Sequence, residues 1–324
     1  MSLNVPPPLP QDPGVADAVD TPPVAISAAG SPALPGREAG EPTRALWRRG
    51  LEVFAENKLA LAGSVVLLIV VLYCFLGPLF YHTDQIHTNI ANANLPPGAG
   101  HPLGTDSNGY DILGRLMVGG QVSLELGFAS AVVATVIGAL WGAVAGYFGG
   151  WLDAVMMRIV DAALSIPILF LLIVLATIIR PTKLTLILII SLASWLAISR
   201  LVRGEALSLR VREYVQATKQ MGGGSARIVL RHIAPNAVGT IIVNATFQVA
   251  DAILFIAYVS FLGLGLPPPA TDLGGMLSNG INYVDDGYWW MIYPAGFLIV
   301  IIVVSVNFIG DALRDAFEVR LQRR

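Results

Sequence analysis

The sequence predicts an all-α integral membrane protein with about six transmembrane helices, and three observations carry that expectation. Of its 324 residues, 55% are hydrophobic and 13% are charged, against roughly 25% charged in a soluble domain. Uncharged runs close to the roughly 20 residues that a helix needs to cross a hydrocarbon core about 30 Å thick recur along the chain. The 20 lysines and arginines gather in alternate segments between those runs, the pattern of a chain whose cytoplasmic segments hold the positive charge. A net charge of −2 adds nothing about partners: membrane lipid is expected, and nothing points to nucleic acid.

Residues 1–43 hold ten of the 21 prolines, with many Ala, Gly and Ser, too little apolar surface to offset the entropy of ordering. They are expected to form a disordered cytoplasmic tail. The first ten residues lack the basic and apolar regions of a cleavable signal, so the first span is expected to direct insertion. Arg44, Arg48 and Arg49 open an amphipathic lead-in over 44–60. Spans are expected over 61–80, 126–148, 162–179, 184–198, 238–262 and 293–309, within a six-helix domain at 61–312. The third and fourth are short, separated only by 180–183, and are expected to form a tight helical hairpin. A basic cytoplasmic C-terminus occupies 313–324.

Placing both ends and the second and fourth inter-span segments in the cytoplasm puts 17 of the 20 Lys and Arg residues on that side. Only Arg115, Arg180 and Lys183 remain outside, so an even number of spans is required.

Gly138, Gly142 and Gly146 recur every four residues in the second span, which gives one helix face a small surface that a neighbouring backbone can approach. A packing seam is the plain reading. Tyr283, Tyr288, Trp289, Trp290 and Tyr293 cluster before the sixth span and are expected to anchor it at the membrane boundary. Cys74 is the single cysteine, which excludes an internal disulfide and a cysteine-based metal cluster.

No Gly is followed by Lys, so the chain has no phosphate-binding loop and is not expected to hydrolyse nucleotide. The segment 200–235 is much longer than a connector requires. Leu207, Val211, Val215, Thr218 and Met221 follow helical spacing, Gly222, Gly223 and Gly224 break the pattern, and Ser225 is expected to cap a second short helix. Such a helix, hinge and helix suits a partner's groove or an anionic lipid surface.

Asp251 stands in the middle of the fifth span, where a carboxylate costs roughly 2.5–3.5 kcal/mol in lipid. It lines a substrate pathway and contacts a cationic group of the substrate, or it pairs or hydrogen-bonds at the interface with another permease, or it is protonated. His82, His87, His101 and Asp84 share one loop, but their spacing fits no standard metal-ligand pattern, and no metal site is expected. No catalytic Ser/His/Asp or paired-carboxylate arrangement is identifiable, so an enzyme is not expected.

Several stretches resemble one family. Glu213-Tyr214-Val215-Gln216-Ala217-Thr218 with Gly222, followed by Arg231-His232-Ile233-Ala234-Pro235-Asn236, looks like the EAA loop of ABC importer permeases. Three others look like the C-type permease of the dipeptide, oligopeptide and nickel branch. These are His101-Pro102-Leu103-Gly104-Thr105-Asp106 with Gly109 and Asp111, Gly149-Gly150-Trp151-Leu152-Asp153 with Arg158 and Asp161, and Ser260-Phe261-Leu262-Gly263-Leu264-Gly265. Gly310-Asp311 with Leu313-Arg314-Asp315 matches the family's usual ending. Gln216 and Thr218 stand where the family usually has Glu and Ala, and Tyr110 stands for a usual Arg.

The resemblance implies the architecture of a type I, MetI-like importer permease in a bacterial inner membrane. It implies a second homologous permease subunit, two ATP-binding subunits that hold ATP and Mg, and an extracytoplasmic substrate-binding protein, with no cofactor in this chain. Glu213, Gln216, Ala217, Thr218 and Gly222 would couple the spans to an ATPase, whose closure would rock them between outward-open and inward-open states. Short peptides are the implied substrate. The same architecture importing nickel, heme or another non-peptide ligand is an alternative, and so is a proton-coupled secondary carrier using Asp251, although no repeat of the spans is visible.

The charge count generates a first test. Topology reporters fused at Gly223 and at Arg324 are both expected to score cytoplasmic, and an outside score at either site contradicts six spans.

Overall fold

The structure, a computed structural model, describes Glu52 and residues 54–321. The expected tail over 1–43, the lead-in as far as residue 51 and the last three residues lie outside that set. We label the helices α1 (Lys58–Phe80), α2 (Ile112–Phe148), α3 (Gly150–Leu164), α4 (Ile168–Ile178), α5 (Lys183–Arg210), α6 (Glu213–Gln220), α7 (Ser225–Ile228), α8 (Ala234–Val259), α9 (Leu273–Ile281) and α10 (Tyr293–Leu321). Two π-helical turns, Val229–Ile233 and Ser260–Leu264, extend α8 at both ends.

Five runs are long and apolar enough to cross a membrane: α1, α2, α5, the Ser225–Leu264 run that contains α8, and the Trp289–Phe317 run that takes in most of α10. Taken together, α3 and α4 supply a sixth, bent by 81°. The expected span over 162–179 is therefore the far half of a broken pair. Pro167 caps α4 without a side-chain bond, and a proline disfavours the α conformation at the residue before it, here Ile166.

The other spans are longer than hydropathy implies, because hydropathy stops at a charge whereas a helix continues through one that is paired. Arg115 near the start of α2 stands 3.7 Å from Asp106, and Lys183 at the start of α5 stands 2.7 Å from Glu125. Beyond the expected end at residue 198, α5 runs twelve residues further to Arg210, with Arg200 and Arg203 bonded to Asp161 and Asp153 of α3. The segment 200–235 is correspondingly not a loop. Its first part is the end of α5 and its last part the start of the next run, which leaves only 211–224 outside the spans. The expected boundary between the sixth span and the basic C-terminus falls inside α10.

Local chemistry sets the helix starts. Asn57 accepts the Leu59 and Ala60 N–H groups, each at 3.1 Å. Asp111 accepts from Gly114 at 2.9 Å, and Asp272 from Gly275 at 3.0 Å; each satisfies an otherwise unpaired first-turn donor. Thr182 and Thr185 form a reciprocal capping box at the start of α5, so 179–182 makes the short turn expected between the third and fourth spans.

α2 packs chiefly along α5 and α8, and α10 along α1 and α8. Gly138, Gly142 and Gly146 face α5. A Cβ on Gly138 would stand 2.7 Å from the Trp195 carbonyl oxygen, one on Gly142 2.8 Å from the Arg203 nitrogen, and one on Gly146 2.7 Å from the Arg203 carbonyl oxygen. Real Cβ atoms essentially never come so close to backbone, so only glycine permits this separation of the helices. Gly142→Leu is therefore expected to lower the stability of the purified complex by about 2 kcal/mol through overpacking, seen as a fall in melting temperature. Gly204→Ala, whose added Cβ meets nothing within 4 Å, should leave it unchanged or slightly raised. Equal behaviour of the two variants contradicts the close contact.

Candidate functional site

One end of the bundle gathers the C-termini of α2, α5 and α10 and the start of α8. There Gly146 lies against Ala206, and Gly239 lies against Phe317. Arg203 donates from Nη2 to Asp153 Oδ2 at 2.7 Å, Arg200 bonds Asp161, and Arg210 Nη1 donates to the Gly146 carbonyl at 3.3 Å. Asp153 sits in the first turn of α3, where the helix dipole favours a carboxylate. These bonds fix the end of α5, from which α6 hangs.

α6 buries one side chain against the bundle. Val215, 2% exposed, packs with Val202, Ala206, Ile228 and Ile233, while Glu213, Gln216 and Ala217 are exposed and Thr218 is half-buried. The expected apolar stripe from Leu207 to Met221 does not exist as one face, because the chain turns at Val211 and Arg212 between two helices. Val211 is 65% and Met221 80% exposed. Gln216 Nε2 donates back to the Arg210 carbonyl at 3.0 Å. Gly222 has φ +81°, and a Cβ added there would meet nothing within 4 Å, while Gly223 N–H donates to the Thr218 carbonyl at 2.9 Å. The left-handed turn at Gly222 suits glycine, since a Cβ is strained there. Gly224, not Ser225, occupies the cap position of α7; Ser225 instead accepts from the Tyr147 hydroxyl at 3.4 Å. The result is a short exposed helix on a single apolar foot, flanked by the exposed apolar side chains of Val211, Tyr214, Met221 and Leu230.

Asp251 does not enter the interior of this chain's bundle. Its neighbours Ala250 and Ala252 are buried, but Asp251 itself is exposed, and it forms no ion pair among the described residues.

At the opposite end, the residues of the His101–Asp106 motif work as a clamp. His101 Nδ1 lies 2.9 Å from Asp111 Oδ2, and the Tyr81 hydroxyl donates to the same oxygen at 3.0 Å, so the cap of α2 is tied to the end of α1. Trp290 Nε1 donates to the Thr105 carbonyl at 3.2 Å. Trp290 is thus a buried structural side chain, not the boundary anchor expected of it; Trp289 and Tyr293 of the same cluster are exposed. Asp106 accepts from the Asn108 and Tyr110 N–H groups at 2.8 and 2.9 Å. Arg115 reaches over the Tyr110 ring, 3.8 Å from its centre, and donates to the Pro269 carbonyl at 2.8 Å. Burial pushes the Asp106 carboxyl above its ordinary range, against those hydrogen bonds and the Arg115 charge. Asp272 is likewise raised by burial, opposed by the Gly275 N–H and the Ser260 hydroxyl.

His82, His87 and His101 line an open cavity of about 490 Å³ with Tyr81, Asp84 and Asp111. His87 pairs with Asp84 at 2.9 Å, whose carboxyl the His87 and Ile86 N–H groups hold down at about 2. Among the described residues no group of three or more His, Cys, Asp or Glu side chains is arranged to hold a metal ion.

Sequence reasoning missed the Arg203–Asp153 and Arg200–Asp161 pairs, which join residues 50 and 39 positions apart. It also missed Thr240, Asn244 and Tyr258, which share a face of α8 with Asp251. Their spacing with Asp251, at intervals of four, seven and seven residues, was the available signal.

Two family models match the chain. The binding-protein-dependent transport system inner membrane component matches residues 134–323, and the N-terminal TM domain of oligopeptide transport permease C matches 45–97. The chain is 37% identical to the oligopeptide transport system permease protein OppC of Bacillus subtilis, over 86% of this chain and 91% of that one. It is 40% identical to OppC of Escherichia coli K12, over 85% and 91%, and 35% identical to the dipeptide permease DppC of B. subtilis, over 87% of each. A solved structure of the MetNI methionine ABC transporter, inward facing, shares the fold with a TM-score of 0.52 at 22% identity, over 62% of this chain and 96% of that one.

The clamp generates a test. Asp111→Ala removes a helix cap and the partner of His101 and Tyr81, a loss of about 1–2 kcal/mol. It is expected to speed proteolysis within 82–111 while leaving that within 211–224 unchanged; equal protection of both segments in variant and parent contradicts the clamp.

Proposed function

Since the chain belongs to the binding-protein-dependent transport system inner membrane component family, as a membrane-spanning permease subunit and not an enzyme, we propose that it forms half of the pathway of an ATP-driven importer of short peptides. The names of the oligopeptide and dipeptide permeases it resembles over most of its length support the substrate class. The arginine-rich end lies in the cytoplasm, and both termini with it. A second permease completes the pathway, two ATPase subunits bind ATP and Mg below it, and an extracytoplasmic protein delivers the peptide.

The observation that carries the coupling role is α6, an exposed helix whose one buried side chain is Val215 and which is followed by a glycine turn. A helix buried on one residue is free to present its other faces to a groove, and the half-exposed apolar rim of Val211, Tyr214 and Met221 would be covered there. Glu213, Gln216, Ala217 and Thr218 then contact the ATPase, and Gly222 allows the turn that follows. Movement of the ATPase is passed through Val215 and the paired arginines of α5 to the spans. Gly138, Gly142 and Gly146 make α2 and α5 move as one body. Asp251 belongs to the pathway face.

Gly222→Glu introduces strain at φ +81° and a charge at the groove. It is expected to reduce peptide uptake about tenfold or more, as a loss near 1.4 kcal/mol in coupling requires, while the chain remains in the membrane and ATP hydrolysis loses its response to loaded delivery protein. Parental uptake and parental stimulation in this variant contradict the assignment.

A further inference from the structure

Thr240, Asn244, Asp251 and Tyr258 fall within about 20° of one line along α8 at 3.6 residues per turn, and at 1.5 Å per residue the line is about 27 Å long, close to the full hydrocarbon thickness. Asp251 is exposed, Tyr258 is 46% exposed, and Thr240 and Asn244 are half-buried. A lipid-facing helix has no use for such a line, since each uncompensated polar group there is costly.

The line continues onto α5. Thr240 Oγ1 donates to Glu205 Oε1 at 2.9 Å, and Asn244 Nδ2 donates to the Thr240 carbonyl at 2.8 Å, which leaves the Asn244 amide oxygen as a free acceptor. Glu205 is itself half-buried. On the two helices of the track, α5 and α8, no Lys or Arg is left without a partner among the described residues. Lys183, Arg200 and Arg203 of α5 are bound by Glu125, Asp161 and Asp153, Arg210 is turned to the Gly146 carbonyl, and α8 contains no Lys or Arg. Glu205 and Asp251 form no ion pair among the described residues.

We propose that this face is a cation-accepting track that passes the ammonium groups of a peptide, its amino terminus and any lysine side chain, from Asp251 to Glu205. The assignment rests on the peptide-importer reading above and adds a preference that the permease imposes after delivery. Carboxylates and an amide oxygen offer acceptors to a moving ammonium, and a charge-assisted bond is about twice as strong as a neutral one. Peptide carboxylates find no such partner on the same face.

The test uses the whole transporter in proteoliposomes with its delivery protein, whose affinity for each peptide is measured separately. Trilysine, trialanine and amino-acetylated trialanine are compared. Asp251→Asn and Glu205→Gln are each expected to lower trilysine uptake about tenfold more than that of the acetylated peptide, with trialanine between them. Asp251→Glu should restore the order. Equal loss for all three peptides, or no loss, overturns the track. So does failure of both neutral variants to assemble, which makes the carboxylates contacts with the second permease. Absence of uptake of every peptide by the parent, with delivery confirmed, counts against the peptide reading instead.

Discussion

The approach of α2 to α5 is the contact on which the rest of this structure depends. Gly138, Gly142 and Gly146 bring the two backbones to a separation that no side chain would permit, and a small-residue seam is how helices pack where lipid removes the hydrophobic drive for association. That separation carries the last turns of α5 across to α3, so that Arg200 and Arg203 meet Asp161 and Asp153. Charges at the end of a membrane helix are tolerable when paired in this way. With α5 fixed, α6 projects from a rigid support, its direction set by Val215 in the core and by the Gln216 bond to the Arg210 carbonyl.

The two ends of the bundle are built on different principles. The end bearing α6 is held by ion pairs between helices and leaves apolar side chains uncovered. The other end is closed on itself. His101, Tyr81 and Asp111 tie α1 to α2, Trp290 ties α10 to the same loop, and Arg115 fastens the loop that precedes α9. Asp272 caps α9 while accepting from the Ser260 hydroxyl at 2.9 Å, which joins α9 to the π-helical turn after α8. A closed end and an open end suit a subunit that transmits movement from one side of the membrane to the other.

Much of this was legible in the sequence, for identifiable reasons. Uncharged runs located the centres of the spans because exclusion of charge from lipid is a one-dimensional property. They misplaced the ends, since whether Arg115 or Arg203 can extend a helix depends on Asp106 or Asp153, far away along the chain. The bend at Pro167 was readable from the proline, but a hydropathy window averages across it. Trp290 was misread because an aromatic residue near a span end has two homes, the boundary and the core, and only Thr105 decides between them. The glycine run was visible through its spacing, whereas the segment around Gln216 was picked out by its resemblance to the EAA loop, since the apolar spacing from Leu207 to Met221 does not form one face. The exposure of Asp251 was not, because the direction in which α8 turns its faces is set by α2, α5 and α10 together.

The central claim is that α6 is the surface through which an ATPase moves this subunit, and cysteine crosslinking tests it most directly. Cys74 is the only native cysteine and is buried, so replacing it with Ala gives a clean background. Single cysteines at Glu213, Gln216, Ala217 and Gln220 are expected to crosslink to the ATPase with yields that change on ATP binding, whereas one at Val215 should not react. Failure of every α6 position to crosslink in an intact, transporting complex would contradict the account.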